Sequence, residues 1–214
     1  MIYVQDLQIL RLYDEPHRRY HSVFHVLEML ELHASGRTRG IVIPDYRNPI
    51  DSDQLEDDFV SAVMAHDCVY QIGREKGWNE RESLRAWQKI TGRHETLRSG
   101  AVQPLILATI NHDPDLVPGG YPVAWRPIIE HMIDLDLAGL GAEPAEYDRN
   151  SANIKAEYLA GGADPALYDE GRRRFLAHML TQPTIFHTAQ FKKALEARAR
   201  ANIQRALAPG YGEE

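Results

Sequence analysis

The sequence predicts an all-α protein in a single domain, and three observations lead there. Apolar residues recur at helical period along most of the chain. The breaks fall at clusters of Pro, Gly, Asn and Asp. At 214 residues the chain can bury one sizeable core, and no repeat, low-complexity tract or linker marks a boundary within it.

The elements follow in order. Residues 3–12 and 21–34 read as helices, split by the turn DEPH at 14–17. Residues 35–53, rich in Gly, Pro, Asn and Asp, read as a long loop; IVI at 41–43 is too short to establish a strand. Ser52 or Asp53 can cap a helix over 54–70, and Asn79 can cap another from about 80 to 90. A helix over 101–112 follows, and Pro114, Pro118, Gly119, Gly120 and Pro122 end it. WRPIIEHMIDLDLAGLG (125–141) restarts the chain, with Pro127 tolerated in a first turn. Further helices are expected at 144–160, 166–180 and 188–207.

Composition narrows the function. A net charge of −7 sets the surface as a whole against nucleic acid and anionic membranes, although Arg172, Arg173 and Arg174 make a local basic spot. No apolar run approaches the roughly 20 residues of a membrane span, and the N-terminus lacks the basic start and cleavage site of a signal peptide. A single cysteine, Cys68, forms no internal disulfide and fits a reducing compartment. These features predict a cytoplasmic protein with no nucleic-acid or membrane partner; they admit a homo-oligomer.

Three segments carry chemistry. In YHSVFHV (20–26), His21 and His25 stand four apart, which on a helix puts both imidazoles on one face. In AVMAHDCVY (62–70), His66 and Asp67 sit in a helix otherwise built for a core. A charged Asp is costly there unless it is paired or binds a metal. In IIEHMIDLDLAGLG (128–141), helical spacing puts Asp136 with Met132, Ile133 and Leu140 on the apolar face. Asp134 falls with Glu130, His131 and Ala138 on the more polar face and is expected to be solvated. The set His25, His66, Asp67 and Asp136 offers imidazoles and carboxylates without thiolate. That suits Mn, Fe, Co, Ni, Mg or Zn and does not choose among them.

Thr109 and His112 lie three apart, and His112 can contact a substrate or a second metal, or simply end a helix. Glu80 and Ser83 open a helix, where they can contact phosphate or support the ligands; Glu80 equally suits the positive helix end. Arg18, Arg19 and Lys155 are candidate phosphate partners or solvated charges, and Tyr147 and Tyr158 suit a pocket wall or a core.

A first His, an His-Asp doublet and a distant Asp, all on helices, resemble the HD superfamily of metal-dependent phosphohydrolases. YHSVFH is also similar to the YHNxxH motif of the cyclic-nucleotide phosphodiesterases in that superfamily. The group of predicted HD-superfamily metal-dependent phosphohydrolases is similar over nearly the whole chain. The resembling pieces are EPHRRYHSVFHVLEML (15–30), the doublet with Val69-Tyr70, NERES (79–83), LILATINH (105–112), DLDLAGLG (134–141), IKAEY (154–158), GRRRFLAHML (171–180), IFHTAQF (185–191) and EARARANIQRAL (196–207). Two departures, the longer loop at 35–53 and Gln71 where such proteins often carry Asp, bear on substrate choice.

The resemblance implies an HD-domain helical bundle, with a core at about 15–145 and C-terminal helices 146–207 packed on it. It implies His25, His66, Asp67 and Asp136 as ligands of one divalent ion or two, and His21 as a general acid for the leaving group. The expected function is hydrolysis of a nucleotide or other small phosphate ester by metal-activated water, with Asp67 both ligand and part of the catalytic machinery. The alternatives are an HD-type di-iron oxygenase and a non-catalytic nucleotide-binding protein.

Overall fold

The computed structural model describes residues 4–38, 52–94 and 100–211. Among these residues every regular element is helical and no strand occurs. The elements are α1 (Val4–Leu10), α2 (Val23–Thr38), α3 (Ser52–Ala65), α4 (Trp78–Thr91), α5 (Val102–Ala108), α6 (Arg126–Asp136), α7 (Pro144–Ala160), α8 (Pro165–Thr181) and α9 (Ala189–Leu207). Short 3₁₀ turns follow α1 at Arg11–Tyr13 and α6 at Leu137–Gly141. None of the described helices is long and apolar enough to cross a membrane.

Packing follows the apolar stripes. α3 and α6 run through the middle, α3 against α1, α2 and α5, and α6 against α2 and α5. Phe59, Val63, Leu105, Ile106, Ile129, Met132 and Ile133 are all buried there. Each such side chain contributes roughly 1.5–3 kcal/mol by leaving water. α9 packs on α8 and on the Leu137–Gly141 turn. Asn202 Nδ2 donates to the carbonyls of Leu140 and Ala142 at 3.0 and 2.9 Å, which ties the C-terminal helix to the end of α6. Gly141 is needed at that approach, since a Cβ there would meet Leu195 Cβ at 2.7 Å.

Several boundaries differ from the expected ones. α2 runs on to Thr38, into the expected loop; residues 39–51, with IVI, lie outside the described residues. α3 stops at Ala65 where a helix to 70 was expected, and α5 stops at Ala108 where one to 112 was expected. His21 precedes α2 and lies in a turn, so the two histidines of YHSVFH do not share one helix. Asn79 caps nothing. α4 begins after Gly77, whose φ of +78° suits glycine. The Asn79 side chain instead accepts from the Gln71 backbone N–H and donates to its carbonyl, pinning the preceding turn.

Candidate metal centre and its cavity

The early end of α3 shapes the site. On a continuous helix His66 and Asp67 would diverge by 100°; in a turn both can aim at one point. Long-range donors take the carbonyls that a helix end leaves free. Tyr13 Oη donates to the Met64 carbonyl at 3.0 Å. Arg18 Nη1 and Nη2 donate to the carbonyls of Asp67 and Cys68 at 2.8 and 3.2 Å. Ser83 Oγ accepts from Val69 N–H at 3.0 Å and donates to its carbonyl at 3.3 Å.

Four side chains converge in front of this turn. His66 is fully buried, and its Nδ1 lies 2.9 Å from the Val63 carbonyl. A carbonyl only accepts, so Nδ1 carries the proton and Nε2 presents its lone pair. That Nε2 stands 3.3 Å from Asp67 Oδ2 and 3.7 Å from Asp136 Oδ1, yet it has no hydrogen-bond partner. His25 Nε2 lies 3.2 Å from the same Asp136 oxygen. Ligand atoms of His25, His66 and Asp67 all fall within 4.8 Å of one another. A buried, unpartnered nitrogen facing two carboxylates is an arrangement that a cation resolves, and the donor set of two imidazoles and two carboxylates fits a divalent metal.

The electrostatics agree. Burial opposes a charge on His66, but Asp67 and Asp136 outweigh it and hold its pKa well above the usual value. Nε2 therefore sits in a field that attracts positive charge, whether proton or metal. Burial would raise the carboxyl of Asp136, but hydrogen bonds with His112 and His25 and the nearby imidazole of His66 hold it well below the usual range. His112 joins from the turn after α5, with Nε2 at 3.0 Å from Asp136 Oδ2. Its backbone takes a φ of +52°, strained for a non-glycine residue, and His187 Nε2 donates to its carbonyl at 3.2 Å.

His21 stands beside the cluster, stacked on Tyr70 with ring centroids 4.3 Å apart. Its Nδ1 lies 2.7 Å from Glu157 Oε2. The other oxygen of Glu157 accepts from the successive backbone N–H groups of Arg19, Tyr20 and His21 at 2.6, 2.8 and 2.8 Å. Glu157 is fully buried and so fixes both the approach to α2 and the imidazole. Burial disfavours a charge on His21, but the Glu157 hydrogen bond and the charge of Asp67 raise its pKa overall.

A cavity of about 540 Å³ opens over these groups, with His21, Asp67, Glu80, His112 and Asp136 in its lining. α7 and α8 supply one side of the wall, Tyr147 and Tyr158 included. Four candidate substrate contacts are absent from it. Arg18 is buried and committed to Glu15 and to the backbone of the His-Asp turn. Ser83 is fully buried and bonded to Val69. Lys155 pairs with Asp169 at 2.8 Å. Arg19 is exposed and donates to the Pro16 carbonyl.

Asp136 joins the cluster, but Asp134 is not solvated. It is fully buried and accepts from His187 N–H, Thr188 N–H and Thr188 Oγ at 2.7, 2.8 and 2.6 Å, because the start of α9 covers that face of α6. Two further residues escaped the sequence reading. Glu157 lies in IKAEY and Arg172 in GRRRF, but neither segment shows which of its charges turns inward. No protein-family model, no curated protein and no solved structure matches the chain.

Proposed function

We propose that the protein is a metal-dependent phosphohydrolase acting on a nucleotide or another small phosphate ester. The observation that carries this reading is the unpartnered Nε2 of His66, buried between the carboxylates of Asp67 and Asp136 with His25 alongside. His25, His66, Asp67 and Asp136 would hold the cation. When bound, a divalent cation supplies water of lowered pKa as nucleophile and charge to neutralise phosphate oxygens.

The remaining work falls to side chains. Glu157 occupies Nδ1 of His21, which leaves Nε2 to face a substrate. Glu157 also favours the protonated imidazole, the form that can donate to a departing alkoxide. After the leaving group departs with that proton, the Glu157 charge draws a new one from solvent. Tyr70, stacked on His21, keeps the ring from swinging out. The cavity volume suits a ligand of nucleotide size. The resemblance of the motif order to HD-superfamily phosphohydrolases supports the same reading.

A second reading rests on Asp136. Its Oδ1 faces His25 and His66 while its Oδ2 faces His112, so His112 would be an additional ligand if a second cation were bound. With iron at both, the site would suit an oxygenase. Metal analysis of purified protein, with a metal-supplemented phosphatase screen over nucleotides and small phosphate esters, separates the two. Phosphate release with Mn, Co, Ni, Mg or Zn supports the hydrolase. Two irons per chain with an iron absorption band and no phosphate release supports the oxygenase.

A further inference from the structure

We infer that the cavity carries a second anion-binding subsite, built by Arg172 of α8 and the hydroxyl of Tyr147 of α7, and that the substrate is a phosphate ester bearing a second anionic group. This deepens the phosphohydrolase reading and rests on it for the role of the metal end.

Two polar groups meet on the cavity wall. Arg172 lines the cavity, lies over the Phe175 ring at 5.3 Å and, among the described residues, forms no ion pair. It contrasts with the neighbouring cations. Arg205 is held by Asp148, Lys155 by Asp169 and Arg174 by Glu170. A partly buried guanidinium that faces a cavity and is paired with no carboxylate is left for an anion from outside.

Tyr147 is the second observation. The residue is 1% exposed and lines the same cavity, and its hydroxyl has no partner. Burial raises its pKa, and Arg172 and Ser151 beside it act in the opposite direction. A buried hydroxyl without a partner costs free energy unless a ligand supplies the acceptor. Tyr147, Ser151 and Tyr158 lie along one stripe of α7, and Tyr168, Arg172 and Phe175 along one stripe of α8, so both helices turn a continuous face to the cavity.

Arg172 does not duplicate the metal end. It stands on the α7–α8 side of the lining with Tyr147 and Tyr168, whereas histidines flank Asp67 and Asp136. A phosphate at the cluster would meet the cation, His21 and His112. A further guanidinium among tyrosines matches a different anionic group on the same ligand.

The test uses non-hydrolysable probes whose reach can be varied. Binding of α,ω-alkyl bisphosphonates of one to six carbons, and of the matching alkyl monophosphonates, is measured by calorimetry on Mn²⁺-loaded wild type, Arg172→Ala and Tyr147→Phe. In the wild type, at one or two chain lengths, the bisphosphonate binds roughly 10–100-fold tighter than its monophosphonate, the worth of a hydrogen bond to a charged group. Arg172→Ala erases that advantage and leaves monophosphonate affinity within about twofold, since the metal end is intact. Tyr147→Phe reduces the advantage and does not lower the melting temperature of the ligand-free protein, because the lost hydroxyl had no partner. The inference is overturned if no length shows an advantage, if the advantage survives Arg172→Ala, or if Arg172→Ala weakens both series equally. A bisphosphonate preference in a protein that hydrolyses no ester would sink the hydrolase reading alone.

Discussion

Glu157 Oε2 lies 2.7 Å from His21 Nδ1, across 136 residues of chain, while Oε1 of the same carboxylate gathers three consecutive backbone N–H groups. One buried charge thus sets both the entry into α2 and the ionisation of the proposed acid. Glu157→Gln keeps an acceptor and removes the charge. Activity is expected to fall, and its alkaline limb to move to lower pH, because His21 loses the group that raises its pKa. An unchanged pH profile in Glu157→Gln would detach Glu157 from the acid.

The same pair has a signature in stability. The His21 pKa is raised by folding, so its contribution is full below about 6.5, the free imidazole value, and is lost as pH rises through the higher folded value. The Glu157 pKa is lowered, despite burial, by its bonds to His21, Arg19 and Tyr20. Its contribution is full above about 4.3 and is lost as pH falls through the lower folded value. The wild-type stability advantage over His21→Gln should therefore be greatest between about pH 4.3 and 6.5. Denaturant titrations across pH check this, and a pH-independent difference would contradict it.

Asp134 and Asp136 predict opposite phenotypes. Asp134→Ala removes the acceptor for two backbone N–H groups and the Thr188 hydroxyl at the start of α9. It should cost roughly 2–5 kcal/mol of stability and leave the metal in place. Asp136→Ala should lose the metal, with a smaller stability cost in metal-free protein. Paired unfolding curves and metal analysis decide it; metal loss in Asp134→Ala with retention in Asp136→Ala would reverse the assignment.

The two histidines before and in α2 also separate. His25→Ala should lose metal and activity together. His21→Ala should keep the metal and lose roughly 10²–10⁴-fold in rate, the usual contribution of a general acid. Esters with good leaving groups such as nitrophenol should suffer less. Metal loss in His21→Ala equal to that in His25→Ala would make His21 a ligand.

Asp67→Ala should abolish the metal-dependent rise in melting temperature that ligand linkage gives the wild type. Equal shifts in both proteins would count against Asp67 as a ligand.

Local pattern carried the all-α class, the helix periods and the inward turn of Asp136, because 3.6-residue spacing acts within one element. It did not carry the end of α3. Nothing near Ala65 signals a stop, since Tyr13, Arg18 and Ser83 impose it from elsewhere in the chain. Asp134 read as solvated because its own helix offers it a polar face; α9 then covers that face. Glu157 in IKAEY and Arg172 in a run of three arginines resemble solvated charges in sequence. Only the closure of α7 and α8 over the cluster distinguishes them.

The central claim is that the His25–His66–Asp67–Asp136 cluster holds a cation that hydrolyses a phosphate ester. The most direct test measures inorganic phosphate released from a panel of nucleotides and small phosphate esters by Mn²⁺-loaded wild type beside Asp136→Ala prepared identically. The account predicts release by the wild type on at least one ester, and none above background from the variant. Release at equal rates by both proteins, or by neither on any ester, would contradict it.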